Sequence, residues 1–319
     1  VERLDHFMAR ANALYYATHD PFADFTTSPE ITQAFGEVLG AWAAVTWQAM
    51  GCPDPVILAE AGPGRGTLMA DALRAVGRVA PAFRAALRLH LVETSPRLRA
   101  IQAAALPDAA WHDDLDALPP GPMILLANEF LDALPIRQFV RRDGVWMERF
   151  VADGAWAERP AAPPLAADAA PGDVREMRDP ALAAALGARL RAQGGAALFL
   201  DYGPAASGPG DSLQALRDGR PTDPLAEPGS ADLTAHVDFT AFAAAAGVSA
   251  HGPVPQGKFL TRLGLFQRID RLARTQAPRR AMAMIEAGRR LAEPDRMGAL
   301  FKAMALTHPD LPTPAGFEA

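Results

Sequence analysis

The chain has 319 residues, half of them hydrophobic and 21% charged, enough for one large α/β domain with insertions or for two small domains. Its formal net charge of -6 and the lack of a long Lys/Arg run argue against nucleic acid as a partner, and no apolar stretch reaches the roughly 18 residues a membrane span needs. One cysteine, Cys52 between Gly51 and Pro53, excludes an internal disulfide and a cysteine-built zinc cluster and fits a reducing compartment.

Residues 1–10 show neither a basic segment nor an apolar run, so no secretory leader is expected there, and the cytoplasm is the expected location. Residues 1–50 are expected to be helical. Thr27-Ser28-Pro29-Glu30 marks a helix start: Thr27 or Ser28 can cap, Pro29 suits the first turn, and Glu30 favours the positive end. Ile31, Phe35, Val38, Leu39 and Trp42 follow at helical spacing, and the Phe35, Trp42 and Trp47 stripe is expected to be core. At 56–60 the period changes to a short apolar run that breaks into Gly62-Pro63-Gly64-Arg65-Gly66, ahead of a helix over 67–79. A strand over 88–93 ends in an acid, and a helix over 96–106 follows. A short strand over 109–112 ends at Asp113-Asp114, and a strand over 123–127 ends at Asn128-Glu129. Strands alternating with helices imply a parallel sheet. Extended runs flanking Asp143-Gly144 predict a β-hairpin over 139–150. Residues 152–174, rich in Ala and Pro, are expected to be a surface loop. The reading continues with a helix over 180–193, a buried strand over 196–200 ending at Asp201-Tyr202-Gly203, and a long loop over 204–232. Residues 236–246 and 278–305 are expected to be helical.

The strongest local signal is Glu60-Ala61-Gly62-Pro63-Gly64-Arg65-Gly66. Glycines allow a sharp strand-to-helix reversal and close approach of a ligand to the backbone. A phosphate-binding P-loop requires a lysine that is missing here. A dinucleotide fingerprint counted from Gly62 puts its third glycine at Thr67, whereas the glycine stands at 66. S-adenosylmethionine has no phosphate but carries a sulfonium, an amino group and a carboxylate, and an acid at Glu60 suits that cationic end. Arg65 either holds the cofactor carboxylate or pairs with a neighbouring acid. Glu93, at the end of the second strand, can accept hydrogen bonds from both ribose hydroxyls, and Asp113 or Asp114 is placed to touch the adenine amino group. Glu93 suits NAD equally well, so the glycine spacing and Glu60 decide for S-adenosylmethionine.

The blocks DFTTSPEI (24–31), GPGRGTLMAD (62–71), LVETSP (91–96), ANEFLDALPIRQFV (127–140) and ADLTAHVDF (231–239), with a closing LPTPAGF (311–317), occur in a characteristic order. On them the chain resembles the MidA-like methyltransferases, whose mitochondrial members are complex I assembly factors. The resemblance implies an α/β fold with a seven-stranded Rossmann-like methyltransferase sheet whose last strand is antiparallel. It implies a protein arginine N-methyltransferase acting on a respiratory complex I subunit or its bacterial counterpart. The expected division is a helical N-terminal lid segment over 1–50, a methyltransferase domain over 51–268 with an insertion at about 204–240, and a helical C-terminal extension over 269–319. Ahead of DFTTSPE the family carries a longer, glycine-containing segment, so the lid is expected to be short here.

An arginine acceptor stays protonated at neutral pH, and a carboxylate paired with it localises its charge away from the reacting nitrogen. Glu129 is expected to be that carboxylate, with Asp132 as second choice, and Asn128 to orient the substrate or the methionine end of the cofactor. The competing reading leaves Glu129 solvated and Asp132 capping a turn. His236 is a candidate base, and Asp238 either borders the acceptor pocket or caps the helix near Phe239. The paired-glutamate loop of the main eukaryotic arginine methyltransferases is not found. A protein substrate is expected, with no metal, nucleic acid or membrane insertion. The alternatives are an NAD-dependent oxidoreductase, a non-catalytic complex I assembly chaperone and a small-molecule methyltransferase.

Overall fold

The computed structural model describes residues 1–19, 26–162, 165, 170 and 172–318. Asp24 and Phe25 of the first block, residues 20–22 leading into it, and most of 163–171 lie outside the described residues. So does the part of the lid over residues 20–25, where the shortening relative to the family was expected.

The contacts divide the chain into two compact units. One comprises Val1–Phe25, Leu131–Pro180 and Ala206–Val237. The other comprises Thr26–Phe130, Ala181–Ala205 and Asp238–Ala319. This differs from the expected division, because 1–50 is shared between the units rather than forming one segment. Leu4, Phe7, Met8 and Ala11 of the first helix pack with Ile136, Val151 and Leu233, whereas Phe35, Trp42 and Trp47 pack with Leu58, Ile124 and Leu198.

The second unit is an α/β fold around a mixed sheet of seven strands: β1 (Val56–Ala61), β2 (Leu87–Val92), β3 (Ala110–His112), β4 (Met123–Asn128), β5 (Gly195–Tyr202), β6 (Ser249–Pro255) and β7 (Phe301–Thr307). Their order is β3-β2-β1-β4-β5-β7-β6. The first five run parallel, β7 lies antiparallel to β5, and β6 lies antiparallel to β7. β1 and β4 are buried at all their positions. Central parallel strands are covered on both faces and so read as unbroken apolar runs. The same physics explains a miss: 278–305 is helical over Pro278–Ala292 and through a π-helical turn at Pro294–Gly298, but FKAMALT is β7. Its seven residues are all buried, so no alternation betrays a strand, and Lys, Ala, Met and Leu are good helix formers.

The other unit is mainly antiparallel. Strand Ile136–Arg142 pairs with Val145–Ala152 through the expected Asp143-Gly144 turn, whose φ values are 44° and 81°. Strand Ala155–Pro160 extends that sheet where a loop was expected, returning through Asp153-Gly154 at φ 51° and 73°. The expected 204–232 loop holds three short paired strands, Gln214–Arg217, Arg220–Thr222 and Asp232–Thr234. Asp218-Gly219, again left-handed at both residues, makes their tight turn. Among the described residues no helix is long and apolar enough to cross a membrane.

In the sheet unit, helix Gln33–Ala49 packs backbone-close on helix Thr67–Val79, which leads out of the glycine turn. A Cβ at Gly40 would lie 2.8 Å from both the Cα and the carbonyl oxygen of Ala72. Alanine gains roughly 1 kcal/mol of helix propensity over glycine, but overpacking against unyielding backbone costs about 1–3 kcal/mol. Gly40→Ala is therefore expected to lower Tm by about 2–4 °C in a thermal scan, at roughly 1 kcal/mol net. A rise in Tm would contradict this packing.

Candidate functional site

The strand order reverses between β1 and β4, and crossovers leaving in opposite directions open a crevice at the carboxyl ends of those strands. β1 runs into the glycine turn there. Gly62, Gly64 and Gly66 have φ of 65°, 53° and 81°, left-handed values that side chains disfavour. Space adds to the constraint, since a Cβ on Gly62 would sit 3.2 Å from the Phe130 ring and one on Gly66 3.1 Å from Leu106. The Gly66 N–H donates to the Pro63 carbonyl at 2.7 Å and closes the turn. Arg65 is half-buried within it.

Two acids flank the turn. Glu60 is only 2% exposed, and its Oε2 has no hydrogen-bond partner among the described residues. Burial pushes its carboxyl up to about 8, because the charged form loses its water. Glu93 follows β2 and is better supported: Oε1 accepts from the Ser95 N–H at 2.8 Å and Oε2 from the Gln102 amide at 3.2 Å. Burial still raises its pKa against those hydrogen bonds.

Gln102 is a residue that sequence reasoning missed. Its amide also donates to the Gly64 carbonyl at 2.7 Å, and its oxygen accepts from the Trp111 indole at 2.8 Å. One buried amide thus ties the second acid, the glycine turn and β3 together. The available signal was spacing: Gln102 stands four residues after Leu98 on the buried stripe of helix Pro96–Ala105. Asp113 and Asp114 follow β3. Asp113 pairs with Arg99 at 2.6 Å, and Arg99 in turn donates to the Glu93 carbonyl. Asp114 accepts from the Ala117 N–H at 2.7 Å.

At the end of β4, Glu129 has φ of 51°, a costly conformation for a residue with a side chain. Its N–H donates to the Leu200 carbonyl at 2.8 Å, which holds the turn. Its Oε1 accepts from the Ser28 N–H and from the Asn128 amide, each at 2.9 Å. Asn128 is buried, and giving its NH2 to Glu129 leaves Oδ1 as an acceptor with no partner among the described residues. Glu30 accepts from Thr67 Oγ1 at 2.5 Å. The TSPE motif starts a one-turn helix, Ser28–Ile31, with Thr27 at its N-cap and Pro29 in its first turn, and it also clips the end of β4 to the helix behind the glycine turn. The long helix begins afresh at Gln33, capped by Thr32.

Asp132 and His236 belong to the other unit. Asp132 is buried, and its carbonyl accepts from the Ala235 N–H at 3.0 Å. The Arg178 guanidinium donates to the carbonyls of Asp132, Ala235 and His236 at 3.3, 2.7 and 2.6 Å, so these two candidates are neighbours through their backbones. His236 is exposed. Asp238 takes the capping role, accepting from the Ala241 N–H at 2.9 Å.

S-adenosylmethionine fits the residues of the sheet unit. Its cationic end needs acceptors, and Glu60 Oε2 and Asn128 Oδ1 are buried acceptors without partners among the described residues. Its ribose needs a carboxylate beyond the second strand, where Glu93 retains accepting capacity. It brings no phosphate, and the turn offers no lysine.

Comparisons with known proteins agree. Residues 38–254 match the model of a family described as "Putative S-adenosyl-L-methionine-dependent methyltransferase". The chain is 34% identical to "Protein arginine methyltransferase NDUFAF7 homolog, mitochondrial" of Drosophila melanogaster, over 96% of this chain and 80% of that protein. It is 33% identical to "Protein arginine methyltransferase NDUFAF7, mitochondrial" of Rattus norvegicus, over 92% and 77%. A Burkholderia thailandensis methyltransferase-like protein crystallised with S-adenosyl-homocysteine superposes with a TM-score of 0.78 at 27% identity, covering 99% of this chain and 88% of that one. A native crystal structure of an uncharacterised protein from the same organism gives 0.80 at 28% identity, covering 99% and 89%.

The buried acid Glu60 affects stability with a definite sign. Its carboxyl moves from 4.5 to about 8 on folding, so its contribution is full below pH 4.5 and is lost as pH rises through 8. Glu60→Gln is expected to raise the Tm of the ligand-free protein by an amount that grows from pH 6 to pH 9. The same change should weaken S-adenosylhomocysteine binding by about tenfold or more. Thermal scans and calorimetry check the two effects, and a Tm difference flat across that range would contradict the first.

Proposed function

The chain belongs to the family of S-adenosyl-L-methionine-dependent methyltransferases, and from that premise we propose that it methylates arginine side chains of a protein. The arginine methyltransferase names of its fly and rat relatives support an arginine acceptor. The substrate we favour is the bacterial counterpart of a respiratory complex I subunit, met in the bacterial cytoplasm.

The observation that carries this reading is the fixed carboxylate of Glu129. S-adenosylmethionine, when bound, supplies a methyl group on a sulfonium that departs as a neutral sulfide. The chain's own task is to position and to stabilise charge. An incoming guanidinium is cationic and delocalised, and a carboxylate held still beside it localises the positive charge on the nitrogens that do not react. Ser28 and Asn128 hold one oxygen of Glu129 from two sides. That anchoring lowers the reorganisation needed when the guanidinium docks. Phe130, the next residue, lies against Gly62, so the carboxylate and the glycine turn share one neighbourhood. Asp132 is the second choice for the guanidinium partner and His236 the candidate base.

The test is transfer itself. A lysate from cells lacking the protein would be incubated with methyl-labelled S-adenosylmethionine, digested, and read for methylarginine by mass spectrometry. Wild type is expected to label arginine. Glu129→Gln keeps the oxygen that accepts from Ser28, so S-adenosylhomocysteine binding should persist while transfer falls by about 100-fold or more. Undiminished transfer by the variant would remove Glu129 from the chemistry. Label on small molecules only, or on nothing while S-adenosylhomocysteine binds, would favour a small-molecule methyltransferase or a non-catalytic assembly role.

A further inference from the structure

Ser28 is fully buried, and its Oγ has no hydrogen-bond partner among the described residues. A buried hydroxyl without a partner carries a desolvation penalty that folding alone does not return. The backbone of the same residue is engaged: its N–H meets Glu129 Oε1 at 2.9 Å, and the Asn128 amide meets the same oxygen at 2.9 Å. Ser28 and Asn128 thus converge on one atom. Asn128 Oδ1 and Glu60 Oε2 are also buried and without partners among the described residues. Register relates these two. Glu60 lies opposite Leu126 across the β1–β4 pair, and alternate residues of a strand share a face, so Asn128 and Glu60 project from the same side of the sheet. Three buried polar side chains with spare capacity therefore gather at the ends of β1 and β4.

We propose that the Ser28 hydroxyl binds the amino-acid end of the cofactor beside Glu60 and Asn128, and so discriminates the whole cofactor from a nucleoside thioether that lacks this end. The inference rests on the methyltransferase reading of the same site. An ammonium brings three donors, and the Glu60 carboxylate and Asn128 Oδ1 are acceptors that match them. A serine hydroxyl is both donor and acceptor, so it complements an ammonium and a carboxylate attached to one carbon. Adenine and ribose bring no cation for the buried carboxyl to neutralise.

S-adenosylhomocysteine and 5′-methylthioadenosine share the adenosine and the thioether sulfur and differ in the amino-acid end. Calorimetry of both ligands on wild type and on Ser28→Ala isolates the hydroxyl, because alanine keeps the N–H that Glu129 uses. The variant is expected to lose about tenfold in affinity for S-adenosylhomocysteine while its affinity for methylthioadenosine stays within about twofold. Binding of methylthioadenosine also shows that the variant is folded. Undiminished S-adenosylhomocysteine affinity, or an equal loss for both ligands, would overturn the proposal. A wild type that binds neither ligand would overturn the methyltransferase reading with it, a result distinct from the other two.

Discussion

Glu60 is the penultimate residue of a central parallel strand whose six residues are all buried, and among the described residues its Oε2 has no hydrogen-bond partner. A carboxyl in that position stays neutral until something cationic arrives. The surrounding structure is consistent with waiting for such a guest. The strand order reverses beside Glu60, the chain turns sharply through three left-handed glycines just beyond it, and the neighbouring strand ends in an amide oxygen that has no partner among the described residues. A phosphate ligand would bring no cation to let Glu60 ionise, which is why the shifted glycine spacing and the acid point the same way.

Around that centre, polar links hold the backbone in costly conformations. Gln102 braces the glycine turn against Glu93 and Trp111, and the Ser28 N–H braces Glu129 in its left-handed turn. These links come from elements distant in sequence, so the turn, the second acid and the end of β4 keep their spacing as a set. Positioning is most of what a methyl transfer asks of a protein.

Much of this was legible in the chain. The E-x-G-x-G-x-G turn, Glu93 after the second strand and Asn128-Glu129 after the fourth all fall at strand ends, because strands and acids alternate there without ambiguity. The legible hairpin rested on Asp143-Gly144, and Asp153-Gly154 and Asp218-Gly219 carry the same backbone signature but sit in Ala-, Pro- and Gly-rich surroundings that hid their short strands. β7 was hidden by burial on both faces, and Gln102 by being polar on an inward stripe. Glu30 is the first-turn acid that local rules expect, but its carboxylate also accepts from Thr67, a long-range pairing that those rules do not encode.

The central claim is that the cofactor's cation neutralises a carboxyl that is otherwise protonated. Proton release on binding tests it directly. S-adenosylhomocysteine would be titrated into the protein at pH 7 in two buffers of different ionisation enthalpy. With the Glu60 carboxyl at about 8 in the ligand-free protein, the account predicts release approaching one proton per ligand bound. Tight binding with no proton release would contradict it, since the buried carboxyl would then keep its state and the cation would be held by other groups.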